Sequence, residues 1–525
     1  MSKAADMAKV SAKGSFHLLW GLVASTVISA VGTILVARLL APSEFGLYSI
    51  ALTAPNLIGL FSDWGVATAM IKFTAQYKSE NKTAEMNSIF VAGLVFKTVL
   101  GLSLTIISFL LSGFLATTVF DRPQMTSLIQ VASSIILTGA IISAAQAVFT
   151  GVERMELNSI TYLIQSIFKS ILVPALVILG LGAFGAVTGY AITSVLSGVT
   201  CVMIMWIVYR DLMKPVGYRL EIMKNIRTMF KYGLPLSIST ILNSALLQFY
   251  YFVLAIFVSN SAMGNFSVAY SFLVLITFFA TPISMVMFPA FSKLDAQKDR
   301  ETLKSVYQFS VKYATLFVIS AAFLVAALSQ QAVFTLFGDK YIEAPLFLSF
   351  MSITYLYTAI GSISSPNLIS SQGHNKFMLK LALLTTAIGL PLGLVLISQF
   401  GVLGYITVIF VDGLPSIIIS LRWLKKNYGV TVDLASSAKI ILSAGIAAVV
   451  TYVLVSLMPF GSLLKLIVGI IIFTFVLLST ILSTRAIDRT DLNNLRDMLA
   501  ELGPFSGFFN FLLNILEKLM RVFQL

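Results

Sequence analysis

Residues 37–52 read ARLLAPSEFGLYSIAL, and 218 positions later residues 255–270 read AIFVSNSAMGNFSVAY. Ala37/Ala255, Ser43/Ser261, Gly46/Gly264, Ser49/Ser267 and Ala51/Ala269 coincide, and Tyr48/Phe266 and Ile50/Val268 are similar. An echo at fixed offset is the signature of internal duplication, which in membrane proteins takes the form of two related helical halves. The expected architecture is therefore two copies of one body.

Composition supplies the solvent of that body. Of 525 residues, 58% are hydrophobic and 11% charged, with a mean hydropathy of +0.94, which places the chain among polytopic membrane proteins. Apolar runs long enough for a hydrocarbon core of about 30 Å recur from Phe16 almost to Thr484. The reading is an all-α polytopic membrane protein with about 14 transmembrane helices. Six lie at about 16–40, 44–71, 87–114, 127–150, 158–182 and 184–209, with boundaries good to a few residues. Six more lie at about 232–258, 262–290, 308–330, 345–367, 377–398 and 401–421, and a last pair at about 436–457 and 463–484. The 218-residue offset maps span one onto span seven. This divides the chain into an N-lobe (1–210), a basic connector (211–231), a C-lobe (232–422), an extra helix pair (436–484) and a tail (485–525).

Lysine and arginine orient the spans, because short basic loops stay in the cytoplasm. Lys3, Lys9 and Lys13 precede span one; Lys72, Lys78, Lys82, Arg154, Arg210, Lys214, Arg219, Lys224, Arg227 and Lys231 follow even-numbered spans, as do Lys293, Lys298, Arg300, Lys304, Lys376, Arg422, Lys425 and Lys426. The other side holds Arg38, Arg122, Lys340 and Lys465. A multi-pass protein of the plasma membrane with both termini in the cytoplasm is expected. The net charge of +13 then follows from topology, and no nucleic-acid partner is needed to explain it.

The first apolar run is of spanning length and is expected to stay as span one instead of being cleaved. A single cysteine, Cys201, excludes an intrachain disulfide, and His17 and His374 are too few and too far apart for a metal centre. From Pro504 to Leu525, Asn510, Asn514, Glu517, Lys518 and Arg521 share a helical face opposite Phe508, Leu512 and Leu516, the pattern of an interfacial amphipathic helix. Pro174, Pro235, Pro282, Pro289 and Pro391 interrupt apolar runs and are candidate bending points.

Candidate functional residues are charges where charges are expensive, at about 2.5–3.5 kcal/mol each in the middle of a span. Asp63, Lys97, Lys169 and Asp412 lie about nine to eleven residues inside their spans, or roughly 15 Å at 1.5 Å per residue. Lys312, Lys380 and Lys439 are shallower and are expected to snorkel. Two readings of the deep set stand side by side. They form internal ion pairs, Asp63 with Lys97 above all; or Lys97 and Lys169 line a wet cavity and neutralise a crossing anion, a task for which a compact ammonium suits phosphate. At the repeat offset Lys97 maps to Thr315, Lys169 to Ala387 and Asp63 to Thr281, so an anion site would be confined to the first half. Asp63 and Asp412 are candidates for ion coupling or for balancing the lysines.

The runs VARLLAPSEFGLYSIALT (36–53), FSDWGVATAMIKF (61–73) and AVFTGVERMELNSI (147–160) resemble the polysaccharide-transport branch of the multidrug/oligosaccharidyl-lipid/polysaccharide exporter superfamily, which includes O-antigen-type flippases. The motifs occupy about the first 160 residues, and the span layout extends the resemblance over most of the chain. It implies two six-helix lobes opening alternately to each face, and a polyprenyl-phosphate- or diphosphate-linked sugar moved from the cytoplasmic to the outer leaflet. It further implies that Lys97 and Lys169 contact phosphate and that Arg38, at the outer end of span one, holds the group near release or caps the span. Membrane lipids and glycosyltransferases of the same route are the implied partners. No cofactor is expected, with protons, sodium or the membrane potential as possible drives.

Two other classes share this hydropathy profile. A cation-coupled multidrug antiporter of the superfamily relies on an acidic residue in span one, and residues 16–37 contain none. An integral-membrane glycosyltransferase or ligase needs a sizeable acidic outer loop, whereas the outer connections are short. The absence of a P-loop-type glycine-rich motif argues against ATP hydrolysis.

Overall fold

The computed structural model describes residues 3–212, 221–295 and 298–487 and the isolated positions Asp491, Arg496, Asn514 and Glu517, with side chains from Trp20 onward. The expected interfacial helix at 504–525 falls almost wholly outside the described residues. Among those described the chain is helical, without strands.

The helices are α1 (Lys3–Leu39), α2 (Pro42–Gly59), α3 (Val66–Ser79), α4 (Thr83–Phe114), α5 (Thr126–Gly151), α6 (Met155–Leu176), α7 (Gly182–Leu212), α8 (Ile222–Phe257) and α9 (Asn260–Ser292). They continue as α10 (Arg300–Ala314), α11 (Ser320–Ala327), α12 (Ser329–Phe337), α13 (Ala344–Ile353), α14 (Ser364–Ser371), α15 (Asn375–Asp412), α16 (Leu414–Tyr428), α17 (Leu434–Leu457) and α18 (Ser462–Ser483).

Eleven helical stretches among the described residues are long and apolar enough to cross a membrane, or twelve if the pair Ala344–Ile360 and Ser364–Ser371, bent by 46°, counts as one span. The number of such stretches does not by itself confirm fourteen spans, because two of them are too long to be one span each. Met155–Val208 and Asn375–Tyr428 are each 54 residues of nearly unbroken helix, about 80 Å if straight against a core of about 30 Å. Each folds back at a glycine: Gly182 (φ 53°, ψ −138°) and Gly401 (φ 55°, ψ −125°) hold a conformation open essentially to glycine alone. Past the second turn Gly404 lies so close to the Leu396 carbonyl that a Cβ would fall 1.9 Å from its oxygen, which shows the chain reversing on itself.

Two compact units emerge. The first comprises Met1–Ser267 and Leu379–Val408, the second Val268–Met378 and Ile409–Leu525. In the first, α1 lies along α6, α4 along α5, and both α5 and α6 along α7, while α2 and α3 pack on α5 and α8. Val66, Met70, Ile89, Val148, Phe149, Met229 and Cys201 form its buried core. The two halves of the sequence echo meet here. A Cβ on Gly46 would sit 1.8 Å from the Asn260 carbonyl oxygen, and one on the equivalent Gly264 would sit 2.0 Å from that of Pro42. Helices cross this closely in membranes only over residues without side chains.

In the second unit α17 and α18 pair, α11 packs on α13 and α17, and α12 packs on α18. Phe291, Leu303, Tyr307, Leu368 and Leu424 form one of its buried clusters. Lys312 meets the buried carboxylate of Asp491, to which the Tyr313 hydroxyl also donates at 3.3 Å, so this lysine is ion-paired instead of snorkelling.

Candidate functional site

The apolar run expected as one span at 44–71 is broken in its middle. α2 ends at Gly59, a 3-10 turn covers Leu60–Ser62, and Trp64 (φ 49°) and Gly65 (φ 81°) turn left-handed before α3 begins at Val66. Ser-Asp-Trp-Gly is a turn signature inside an apolar stretch, and that was the available signal. Asp63 closes the break by accepting the Ala67 amide at 3.0 Å, the bond by which a helix start is capped. Gly65 is pressed against α8, where a Cβ would lie 2.3 Å from the Gly233 carbonyl oxygen.

The same carboxylate receives Lys97 of α4. Its Nζ lies 2.5 Å from Asp63 Oδ1 and donates to Ser143 Oγ of α5 at 2.8 Å, with the Lys97 side chain 0% and Asp63 34% exposed. Burying an ammonium in an apolar bundle is tolerable only with a carboxylate and a further acceptor, and both are present. In this conformation Lys97 therefore presents no surface to a cargo. Ser143 had no distinguishing sequence signal, since its role depends on which face of α5 meets α4.

Lys169 has a different environment. It lies about two-thirds of the way along α6, half-buried, with its Nζ 5.2 Å from the centroid of the Tyr190 ring on α7. A tyrosine face attracts a cation but leaves its charge unneutralised. Among the described residues no carboxylate pairs with it, in contrast to Lys97 and Lys312. The neighbouring Ser170 donates to the Ile28 carbonyl of α1 at 2.7 Å, which fixes the register of α6 against α1 and with it the position of Lys169.

Arg38 sits exposed on the last turn of α1, where a cation complements the helix C-terminus. Asp412 belongs to the second unit, is 8% exposed, and ends α15. Two residues earlier Phe410 stacks on Tyr357 at 4.7 Å, and the Tyr357 hydroxyl donates to the Phe410 carbonyl at 2.5 Å. Tyr357 lies on the 3-10 turn Thr354–Ile360 that bends α13 from α14, so each unit places a deep acid beside a broken helix. Unsatisfied backbone at such breaks is what discontinuous spans offer to ligands.

The fold is shared with solved structures of membrane transporters. The structure superimposes on the lipid II flippase MurJ in its inward closed conformation with a TM-score of 0.69 at 15% identity, covering 88% of this chain and 97% of that one. It superimposes on an inward-facing multidrug-resistance MATE family transporter of the MOP superfamily with a TM-score of 0.63 at 17% identity, over 77% and 94% of the two chains. The chain belongs to the polysaccharide biosynthesis protein family, whose model matches residues 11–295. An uncharacterized membrane protein of Methanocaldococcus jannaschii is 22% identical over 412 residues, 75% of this chain and 80% of that protein. The probable low-salt glycan biosynthesis flippase Agl15 of Haloferax volcanii is 20% identical over 272 residues, 52% and 57% of the respective chains.

Proposed function

We propose that the protein moves a polyprenyl-phosphate- or diphosphate-linked saccharide from the cytoplasmic to the outer leaflet of the plasma membrane by alternating access. The observation that carries this reading is Lys169, a mid-span cation to which the described residues of the first unit supply an aromatic face and no carboxylate. A site that keeps a positive charge unneutralised inside a bundle is built for an anion brought by the cargo, and a phosphate oxygen completes it. The isoprenoid tail stays in lipid throughout. Family membership and the kinship with Agl15 support the same substrate class.

The membrane potential is then a sufficient drive. With the inside negative, each negative charge carried outward gains about 2.3 kcal/mol per 100 mV. Neither a nucleotide nor a metal is required, and Asp63, committed to Lys97, is left out of ion coupling in this conformation.

The test is reconstitution into vesicles with a polyprenyl-phosphate-linked sugar whose leaflet is read by an impermeant trapping reagent, alongside a cationic dye. Transfer of the lipid-linked sugar supports the proposal. Export of the dye with no transfer of lipid refutes it in favour of a drug antiporter.

A further inference from the structure

At one end of the second unit three chain segments that are distant in sequence border an open polar cavity of about 760 Å³. The segment before α10 contributes Asp295, the first residue of α10 is Arg300, the turn after α14 contributes His374, and the end of α16 contributes Trp423, Asn427 and Tyr428. The abundance of Lys and Arg assigns these three connections to the cytoplasm. None of the deep charges belongs to this cavity, and the transport reading makes no use of it.

Its walls are built. Gln372 donates to the carbonyls of Phe291 at 2.8 Å and Leu294 at 3.1 Å, which ties the turn to the end of α9. Asn427 donates through Nδ2 to the Trp423 carbonyl at 2.8 Å. Trp423 is the centre of an aromatic cluster: Phe377 stacks on it at 4.9 Å and 23°, and His374 and Tyr428 meet it edge-on at 4.8 Å and 5.3 Å. The indole is thus immobilised and still half-exposed to the cavity.

These side chains constitute a recognisable chemistry. The half-exposed indole, stacked on one side by Phe377, offers the surface this cluster leaves uncovered to the C–H face of a pyranose ring. Asp295 is an acceptor and Asn427 both a donor and an acceptor, the complement of vicinal hydroxyls. Arg300, whose Nη2 donates to the Asn427 carbonyl at 3.4 Å, offers the rest of its guanidinium to phosphate oxygens. Lys376, Lys425 and Lys426 lie within a few residues of the lining and add a positive field that draws in anions. The volume matches sites that enclose small ligands of roughly 300–1,000 Å³.

We infer that this cavity is a cytoplasmic reception site for a sugar phosphate, in which Trp423 stacks on the sugar and Arg300 holds the phosphate. The inference rests on the flippase reading for its physiological ligand, the glycosyl phosphate head group of the cargo before it enters the bundle. Its chemistry stands independently of transport.

The probe is radiolabelled glucose 1-phosphate, in equilibrium binding to the full chain in nanodiscs of zwitterionic lipid. Saturable binding is expected, weakened about tenfold or more by Arg300→Ala and by Trp423→Ala, and only partly retained by Arg300→Lys, which keeps the charge but not the guanidinium geometry. A W20F/W64F/W206F protein, in which Trp423 is the sole indole, gives a local readout: its emission saturates over the same concentration range. No binding at tens of millimolar, or binding indifferent to both substitutions, overturns the inference. Inorganic phosphate binding as tightly as glucose 1-phosphate reduces the site to an anion patch and also overturns it, as does loss of the response when phosphatidylglycerol enters the disc, which identifies a lipid head group. Transfer of lipid-linked sugar without this binding leaves the flippase reading intact and removes the site; binding without transfer does the reverse.

Discussion

Replacing Asp63 with Asn removes the carboxylate that pairs with the fully buried Lys97 and leaves its ammonium with Ser143 and a neutral amide oxygen. Breaking a buried pair from one side costs about 3–5 kcal/mol, because a buried charge is left uncompensated. Asp63 is 34% exposed, so water screens part of the loss. A destabilisation of about 2–3 kcal/mol is expected for Asp63→Asn. Lys97→Met should cost less, about 1–2 kcal/mol, since the remaining carboxylate reaches water and still accepts from Ala67. The double variant removes both charges and should recover most of the deficit, with a coupling energy of about 1–3 kcal/mol. Unfolding of the four proteins in mixed micelles, followed by tryptophan fluorescence, gives this cycle, and leaflet transfer by Lys97→Met should stay within a few-fold of wild type. The reasoning fails if Asp63→Asn is as stable as wild type while Lys97→Met, still folded, transfers nothing, for then Lys97 serves the cargo and not Asp63.

Three further outcomes follow from local geometry. Alanine at Gly46 or Gly264 drives a Cβ to 1.8 Å or 2.0 Å from a backbone carbonyl oxygen; the crossing of α2 and α9 must open by more than 1 Å, so each substitution should cost about 1–3 kcal/mol, and an unchanged melting temperature for both would contradict the close crossing. Arg122 donates to the carbonyls of Ala255 at 2.7 Å and Val258 at 2.5 Å at the end of α8; Arg122→Ala should destabilise by about 1–3 kcal/mol in the same unfolding measurement, and Arg122→Gln should recover only part of it. Asp433 caps α17, accepting from Ser436 Oγ at 2.5 Å and from the amides of Ala435 and Ser436, and the Ser436 hydroxyl first, then these amides, hold its carboxyl below the usual carboxylate range. The ionised form is the one the fold favours, so its contribution is complete above the ordinary carboxylate pKa of about 3.9 and is lost as pH falls through the lowered folded value; Asp433→Ala should cost about 1 kcal/mol at neutral pH and nothing at strongly acidic pH.

Fold class and family were legible in the sequence because the membrane imposes them locally: a span must be apolar over its own length, and the echo at Gly46 and Gly264 marks a crossing that admits no side chain. Helix continuity was not legible. Hydropathy alone does not record the break at Leu60–Gly65 or the bend after Ile360, since a turn inside a bundle is apolar on average; it also cannot record that two 54-residue stretches are hairpins closed at Gly182 and Gly401. The deep charges were visible one by one, and Asp63 with Lys97 was a foreseeable pair on consecutive spans. Their difference from Lys169 was not foreseeable, because it depends on which helix faces meet: α4 turns Lys97 toward Asp63 and Ser143, whereas α6 turns Lys169 toward the ring of Tyr190. The aromatic cavity around Trp423 combines three connections that are remote in sequence, and only the fold brings them together.

The measurement closest to the central claim is the initial rate at which reconstituted protein transfers a polyprenyl-phosphate-linked sugar between leaflets, compared among wild type, Lys169→Arg and Lys169→Ala at equal amounts of folded protein. Loss of one charge-assisted phosphate contact of about 1.5–3 kcal/mol corresponds to a fall of about ten- to a hundredfold for Lys169→Ala, with Lys169→Arg retaining most of the rate. Equal rates for wild type and Lys169→Ala would contradict the assignment of the unneutralised lysine to the cargo's phosphate.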